Sequence, residues 1–440
     1  MTTQYIPMNG PWDRGEPSSA SHLSPRAGSG WRPAKRWLSV LVVSFGLLTT
    51  LYLLSGSRPS SLDTQQHVPS HISPSSLPYL LGGQEDPTKL WFPPYPDGSH
   101  FQPAVASYNL PPTASQRPRT PLFIAFTRNS AMLQQTVLSY IAAGWPREDI
   151  IVVDNSGTMD ANFLHLLSSR NPFFLDYDLF RRRYGVSILQ TPTLLNFAQL
   201  MNFYLRVSMA HNWRYFFWSH MDVAVLSDED AQQYKSFYAR VLDILADLGI
   251  TALDADPSSR NSDKWAIKYF TYDWLTLVNV PAWRKIGTWD PFIPYYTTDC
   301  DAYSRIALSG LTKDDVRAGR IFDLPDAIKD PERKFFPLSS SSSAGDSEDP
   351  MQPGSQRYHT LLAELQDLER QKPEAHRNGW QGANQGGKGE PWTYDPKGFQ
   401  KMWWATAEKG RDMYKIKWGT QECRLDEHGV KLEDAWEDKG

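Results

Sequence analysis

Residues 150–157, IIVVDNSG, carry four apolar side chains in a row, then an acid, an amide, a hydroxyl and a glycine. An unbroken apolar run of this length reads as a strand buried on both faces, as in a parallel sheet, and DNSG as the turn at its carboxyl end. Working outward, PLFIAFT at 121–127 has the same continuous character. Residues 129–143 then follow a helical pattern that stops at Gly144. A third strand is expected at 187–190, a long helix at 196–212, and a fourth strand at 215–218 that runs into SHMDV. Strands alternating with helices at this spacing predict an α/β domain with a mainly parallel central sheet. In such sheets ligands gather outside the carboxyl ends of the strands.

The 440 residues give room for about two or three domains, or for one large domain with appendages. With 45 basic and 49 acidic side chains the net charge is −4, so no global field draws the chain to nucleic-acid phosphates. The 17 Trp, 20 Tyr and 20 Phe, with 40% hydrophobic residues, are enough for a sizeable core and exclude a chain unfolded throughout. Cys300 and Cys423 are the only cysteines, which rules out a zinc cluster or a disulfide framework. They can form one bridge at most and read as two free thiols.

The flanks differ in composition. Residues 1–36, rich in Ser, Pro, Gly and Arg, read as a cytosolic disordered tail. The uncharged run WLSVLVVSFGLLTTLYLL at 37–54 is long enough to cross a hydrocarbon core of roughly 30 Å or slightly less. A signal-anchor helix is therefore expected at 37–55. Arg32, Lys35 and Arg36 precede the run and only Arg58 follows closely, so the positive-inside bias makes a type II protein with its bulk lumenal. So short a span suits the thinner membranes of the early secretory pathway, and a single-pass Golgi location is the expectation. A Ser/Pro/His/Gln-rich stem is expected at 56–119, the α/β domain at 120–330, a low-complexity insertion with a short helix near 358–371 at 331–390, and a returning segment at 391–440.

The strand ends collect polar residues: Thr127, Arg128 and Asn129 after the first, Asp154 and Asn155 after the second, His220 and Asp222 after the fourth. Such a rim offers a nucleotide both acceptors and cations, although Asx residues also shape tight turns with no ligand. His220 and Asp222, two positions apart on an extended segment, share a side and together suit Mn2+ or Mg2+, which would neutralise a diphosphate leaving group. A histidine such as His220, read alone, is more often a hydrogen-bonded core or surface histidine than a ligand. Asp299 and Asp301 head a helix, where carboxylates are favoured by the macrodipole and cap free amides. Asp299 there also suits a general base, and Arg305 stands where it can pair with Asp301.

The order of these features resembles the family-two-like glycosyltransferases of GT-A fold over about 121–311, roughly half the chain. In that family a strand ending VVDNSG or VVDDGS places an aspartate near the nucleotide base, and IIVVDNSG puts Asp154 there. The later family pattern GxFDExFFxYxEDxDLxxR is similar to GTWDPFIPYYTTDCDAYSR at 287–305, so that Asp299 matches the catalytic base and Asp301 and Arg305 its supporting pair. Two departures stand out: the Asp-X-Asp metal motif is His220-Met221-Asp222, and Thr298 replaces the usual Glu. The resemblance implies a Rossmann-like nucleotide-sugar domain, a nucleotide diphosphate sugar donor, and a glycan, glycoprotein or glycolipid acceptor. The implied reaction is an inverting transfer, with Asp222 and His220 on the metal and Thr127, Arg128, Asn129, Asp154 and Asn155 toward the donor. A degenerate, non-catalytic carbohydrate-binding or assembly subunit is the alternative. A nucleotidyltransferase is weakened by the lack of a Gly-rich basic loop after the first strand. Lys415, Lys417 and His428 are read as solvated rather than as phosphate or metal ligands.

Overall fold

The computed structural model describes residues 90–96, 101–251, 264–336, 352–372, 386–390, 392 and 395–437. The expected tail, the apolar run at 37–54 and the first part of the expected stem lie outside the described residues. No helix among the described residues is long and apolar enough to cross a membrane.

Numbered along the chain, β1 (Trp91–Phe92), β2 (Leu122–Phe126), β3 (Ile150–Asp154), β4 (Ser187–Gln190), β5 (Tyr215–Ser219), β7 (Trp265–Tyr269), β8 (Leu275–Asn279) and β9 (Thr312–Asp315) form an eight-stranded sheet in the order β1-β4-β3-β2-β5-β8-β7-β9. A separate two-stranded ribbon pairs β6 (Val223–Leu226) with β10 (Arg320–Asp323). The block β4-β3-β2-β5 is parallel throughout, as the apolar runs predict. Beyond β5 the sheet is mixed, because β8 runs antiparallel to both β5 and β7.

The helices are α1 (Ser130–Ala142), α2 (Phe197–Ala210), α3 (Phe237–Asp247), α4 (Val280–Ile286), α5 (Thr298–Leu308), α6 (Pro331–Phe335), α7 (Gln356–Gln371) and α8 (Pro396–Trp418). Continuous apolar strands need cover on both faces. Ile124, Val152 and Ile188 face one core with Leu133 and Val137 of α1. Phe123, Ile151 and Val153 face the other with Met201, Tyr204 and Leu205 of α2. Helix α1 stops where expected: Gly144 takes φ 92°, and a Cβ there would stand 2.5 Å from the Asn109 carbonyl oxygen.

Helix α1 is not apolar on its buried side, since Gln135, Thr136 and Ser139 are fully buried. Each serves a backbone group of the site region. Thr136 Oγ1 lies 2.7 Å from both the Met221 and the Val223 carbonyl oxygens. Ser139 Oγ accepts from Val225 N, and Gln135 Oε1 from Ile328 N. The hydroxyls of Thr136 and Ser139 and the amide oxygen of Gln135 are thus paired, which offsets the cost of burying them, while Gln135 Nε2 is buried without a hydrogen-bond partner.

Two features add to the expected organisation. Glu85–Gly440 groups as one compact unit, and residues before 120 are part of it. Phe92 is buried and β1 extends the sheet beside β4, while Arg117 is buried against Asp149 at 2.5 Å. The cysteines are not free thiols: Cys300 of α5 is bonded to Cys423, fastening the returning segment to the domain.

Asp149 also accepts from the Thr120 amide and hydroxyl, both at 2.9 Å. Removing one partner of a buried ion pair strands the other charge. Asp149→Ala is expected to lower unfolding free energy by about 3–5 kcal/mol in urea titrations, and a loss below about 1 kcal/mol would count against this pairing.

Candidate active site

Adjacent parallel strands bring the first expected residues together. Phe126 pairs in register with Asp154, and Asn155 N donates to the Phe126 carbonyl at 2.8 Å. Thr127, Arg128 and Asn129 thus leave β2 beside Asp154 and Asn155. Their side chains are largely engaged within the protein. Asn129, at φ 69°, caps α1 by accepting from Met132 N. Asn155 donates to the Leu195 carbonyl and accepts from Leu195 N and Thr191 Oγ1. Asp154 is buried and accepts from Ser156 N at 3.0 Å, Asn162 at 3.1 Å, Tyr177 Oη at 3.0 Å and the Ser156 hydroxyl. Burial raises its pKa against these bonds, which lower it. In this arrangement Asp154 organises the loop after β3.

Arg128 is the rim's cation. Its guanidinium lies 4.2 Å from the ring centre of Phe399 in α8. Burial pulls its pKa down to about 10, with Tyr295 acting in the opposite sense, so it is charged at neutral pH. Tyr295 and Tyr296 lead into α5 and pack on α8: ring centres are 5.1 Å apart for Tyr295–Trp403 and 5.7 Å for Tyr296–Trp404. Trp404 is 40% exposed, leaving an aromatic surface beside Tyr296.

Asp299 occupies the first turn of α5, as expected, and is half-buried. Its charge acts on Tyr269 and Tyr303, and so does that of Asp273. Asp301 points elsewhere. It is fully buried and receives Arg305 Nε at 2.9 Å, Trp418 Nε1 at 2.9 Å and Lys417 Nζ at 2.8 Å. The expected Asp301–Arg305 pair is present, and Arg305 also donates to the Ile286 carbonyl at 3.1 Å. The pair anchors α5 from inside, where a substrate has no access to Asp301. Lys417 is not solvated, being buried between Asp290 and Asp301. Lys415 and His428 are exposed.

His220 and Asp222 end on the same side, Nδ1 to Oδ1 at 3.7 Å, and His220 stacks on Trp218. A second acid, Asp273 in the β7–β8 turn, stands 3.6 Å from Nε2. Burial alone would lower the His220 pKa, but Asp273 and Asp222 outweigh it and raise it from 6.5 to about 10. Asp222 in turn is buried and carries Lys372 Nζ at 2.9 Å. Burial opposes its ionisation, yet His220 and Lys372 hold it well below the usual carboxylate range. No group of three or more His, Cys, Asp or Glu able to hold a metal occurs among the described residues. The expectation of Mn2+ or Mg2+ on His220 and Asp222 does not fit these partners.

Asp273, Lys372, Asp323 and the Tyr295–Trp403 cluster were not expected from sequence. TTDCD draws attention to Asp299 and Asp301, and nothing in the spacing of Lys372 signals a partner 150 residues earlier. A separate cavity of about 50 Å3 beside Tyr108, Glu229 and Arg357 is too small for a nucleotide.

Fold and site together define a mixed α/β domain whose central parallel block is Rossmann-like, with its polar rim at the carboxyl ends of the strands. No family model matches the chain, and no curated protein matches it. Among solved structures it is similar to a cytidylyltransferase from Leptospira borgpetersenii serovar Hardjo-bovis (strain JB197), at 11% identity and a TM-score of 0.27 over 45% of this chain and 76% of that one. It is also similar to the mannosyltransferase PcManGT from Pyrobaculum calidifontis, solved in complex with GDP-Man and Mn2+, at 11% identity and a TM-score of 0.27 over 69% of this chain and 76% of that one. At that level neither neighbour assigns a ligand or a reaction to this chain.

The raised His220 pKa has a direct readout. Because the folded value lies above the ordinary 6.5, the imidazolium's contribution to stability is complete below that pH, declines above it and is lost as pH passes about 10. Long-range 1H–15N spectra are expected to show His220 doubly protonated from pH 6 to 8, whereas a midpoint near 6.5 would contradict the Asp273–His220–Asp222 arrangement.

Proposed function

We propose that this chain is a glycosyltransferase moving a sugar from a nucleotide diphosphate sugar to a hydroxyl of a glycan, glycoprotein or glycolipid. The observation that carries the reading is Asp299: a half-buried carboxylate in the first turn of a helix that Asp301, Arg305, Lys417 and Trp418 lock from within. A general base must be ionised and held in one place, and a helix amino terminus favours the charged form. In the proposed reaction Asp299 takes the proton of the acceptor hydroxyl as that oxygen bonds to the anomeric carbon. The bond from that carbon to the diphosphate oxygen breaks on the opposite face, which inverts the centre and needs no covalent intermediate. Arg128 at the end of β2 offers positive charge toward the donor, although its Phe399 contact must loosen for it to reach a phosphate. Tyr296 and Trp404 offer ring faces to the apolar side of a pyranose acceptor.

The surroundings support a lumenal reading. The bridge between Cys300 and Cys423 is of a kind that persists in oxidising compartments. It agrees with a type II topology in which the run at 37–54 anchors the chain in a Golgi membrane. One observation favours the alternative of a non-catalytic carbohydrate-binding subunit: Asp222 is already neutralised by Lys372. Turnover separates the two.

Asp299→Asn keeps shape and removes the base, so kcat for transfer is expected to fall by roughly 10²–10⁴-fold with nucleotide affinity and melting temperature unchanged. Full activity in this variant would refute the assigned role. Asp301→Ala is expected instead to destabilise the fold by about 3–5 kcal/mol, measured by chemical denaturation, and an unchanged midpoint would mean that Asp301 is not the anchor of α5.

A further inference from the structure

The ribbon register makes two acids neighbours. Val223 pairs with Asp323, and Leu324 N donates to the Asp222 carbonyl at 2.8 Å, so Asp222 and Asp323 end side by side on adjacent strands. Helix α7 then fixes what lies between them. Tyr358, Leu361, Leu362 and Leu365 seat it in the core, and the residue after its last turn is Lys372. The Lys372 ammonium lies 2.9 Å from Asp222 Oδ2, 3.1 Å from the Leu324 carbonyl oxygen, and within hydrogen-bond reach of Asp323 Oδ1. An ammonium has three N–H donors, and these three oxygens take all of them. The lysine is only 6% exposed, so it is a built element of the interior rather than a surface side chain resting on an acid.

Two carboxylates and a carbonyl are the oxygen set that a hard divalent cation prefers. We propose that the Lys372 ammonium is a built-in cation that takes, at Asp222, the place a divalent ion would otherwise hold, so that the chain engages its nucleotide ligand without a metal. The nucleotide half of this statement rests on the function proposed above; the exclusion of the ion from Asp222 stands on the three contacts alone. A tethered ammonium supplies one positive charge at a fixed point and leaves no exchangeable coordination position. What it gives up is the second charge of a metal ion, which leaves Asp222 and Asp323 facing a single ammonium with His220 as the next cation.

The test is a titration of the full-length chain with Mn2+, followed by the electron paramagnetic resonance signal of the free ion, alone and with UDP or GDP. Wild type is expected to leave the free-ion signal where the same buffer or nucleotide solution without protein sets it. Lys372→Met, or Lys372→Gln should the first variant fail to fold, leaves the oxygen set without its cation. It is expected to bind Mn2+ with affinity raised by roughly tenfold or more, the scale on which one neighbouring side chain alters a metal site. Adding Asp222→Asn to that variant should abolish the gain. Wild-type binding of Mn2+ that Asp222→Asn removes would overturn the proposal, and so would a folded Lys372 variant that gains none. The wild-type arm decides even if neither lysine variant folds. If neither UDP nor GDP binds while the Mn2+ arms come out as expected, the proposed function fails and the built-in cation stands.

Discussion

The carboxylate of Asp301 is the constraint on which the rest of the site hangs. It is fully buried, and its oxygens receive a guanidinium, an ammonium and an indole N–H from Arg305, Lys417 and Trp418. The first partner lies in α5 and the other two at the end of α8, so one anion joins the α/β domain to the returning segment. A buried ion that keeps all its partners is tolerable, while one that loses a partner is not. The Cys300–Cys423 bridge fastens the same two parts one residue away in sequence, beside a small apolar cluster of Ile293, Tyr414, Trp418 and Leu425. The position of α8 over Arg128, and of Trp403 against Tyr295, follows from that junction.

A second knot of charge sits where β5 ends. Asp222, Asp273 and Asp323 surround His220 and Lys372, and each cation lies between two acids. The fold assembles this knot with buried polar side chains that serve the backbone: Thr136 and Ser139 hold the segment from Met221 to Val225, and Ser219 bonds toward Trp274. The two knots have different consequences. The one at Asp301 is fully internal and bears on stability, whereas the one at Asp222 includes His220, whose side chain is 30% exposed. The charges of Asp299 and Asp273 both act on Tyr269 and Tyr303.

The parallel block was legible because strands buried on both faces leave unbroken apolar runs, and IIVVD and LFIAF are such runs. The pairing of Asp301 with Arg305 was legible because it is local, one helical turn apart. What escaped was non-local or lacked a pattern. Strand β1 has two residues and no periodicity, and β9 is TKDD, wholly exposed and polar, held by its register with β7. Lys417 sits on a stretch that looks basic and solvated, yet Asp290 and Asp301 draw it inside. Lys372 follows a helix that reads as part of an insertion, and only the β6–β10 register explains why it meets Asp222. The His220–Asp222 spacing placed the two side chains correctly but could not reveal that Asp273 and Lys372 would take up the valences a metal needs.

The central claim is that the rim at the ends of β2, β3 and β5 receives a nucleotide diphosphate sugar with protein-borne charge alone. Isothermal calorimetry of the full-length chain with UDP, GDP and their sugar conjugates in excess EDTA tests it most directly. The account predicts saturable binding of at least one of these ligands, with an affinity that added Mn2+ does not change. A folded chain that binds none of them, or binds only once Mn2+ is restored, would contradict it.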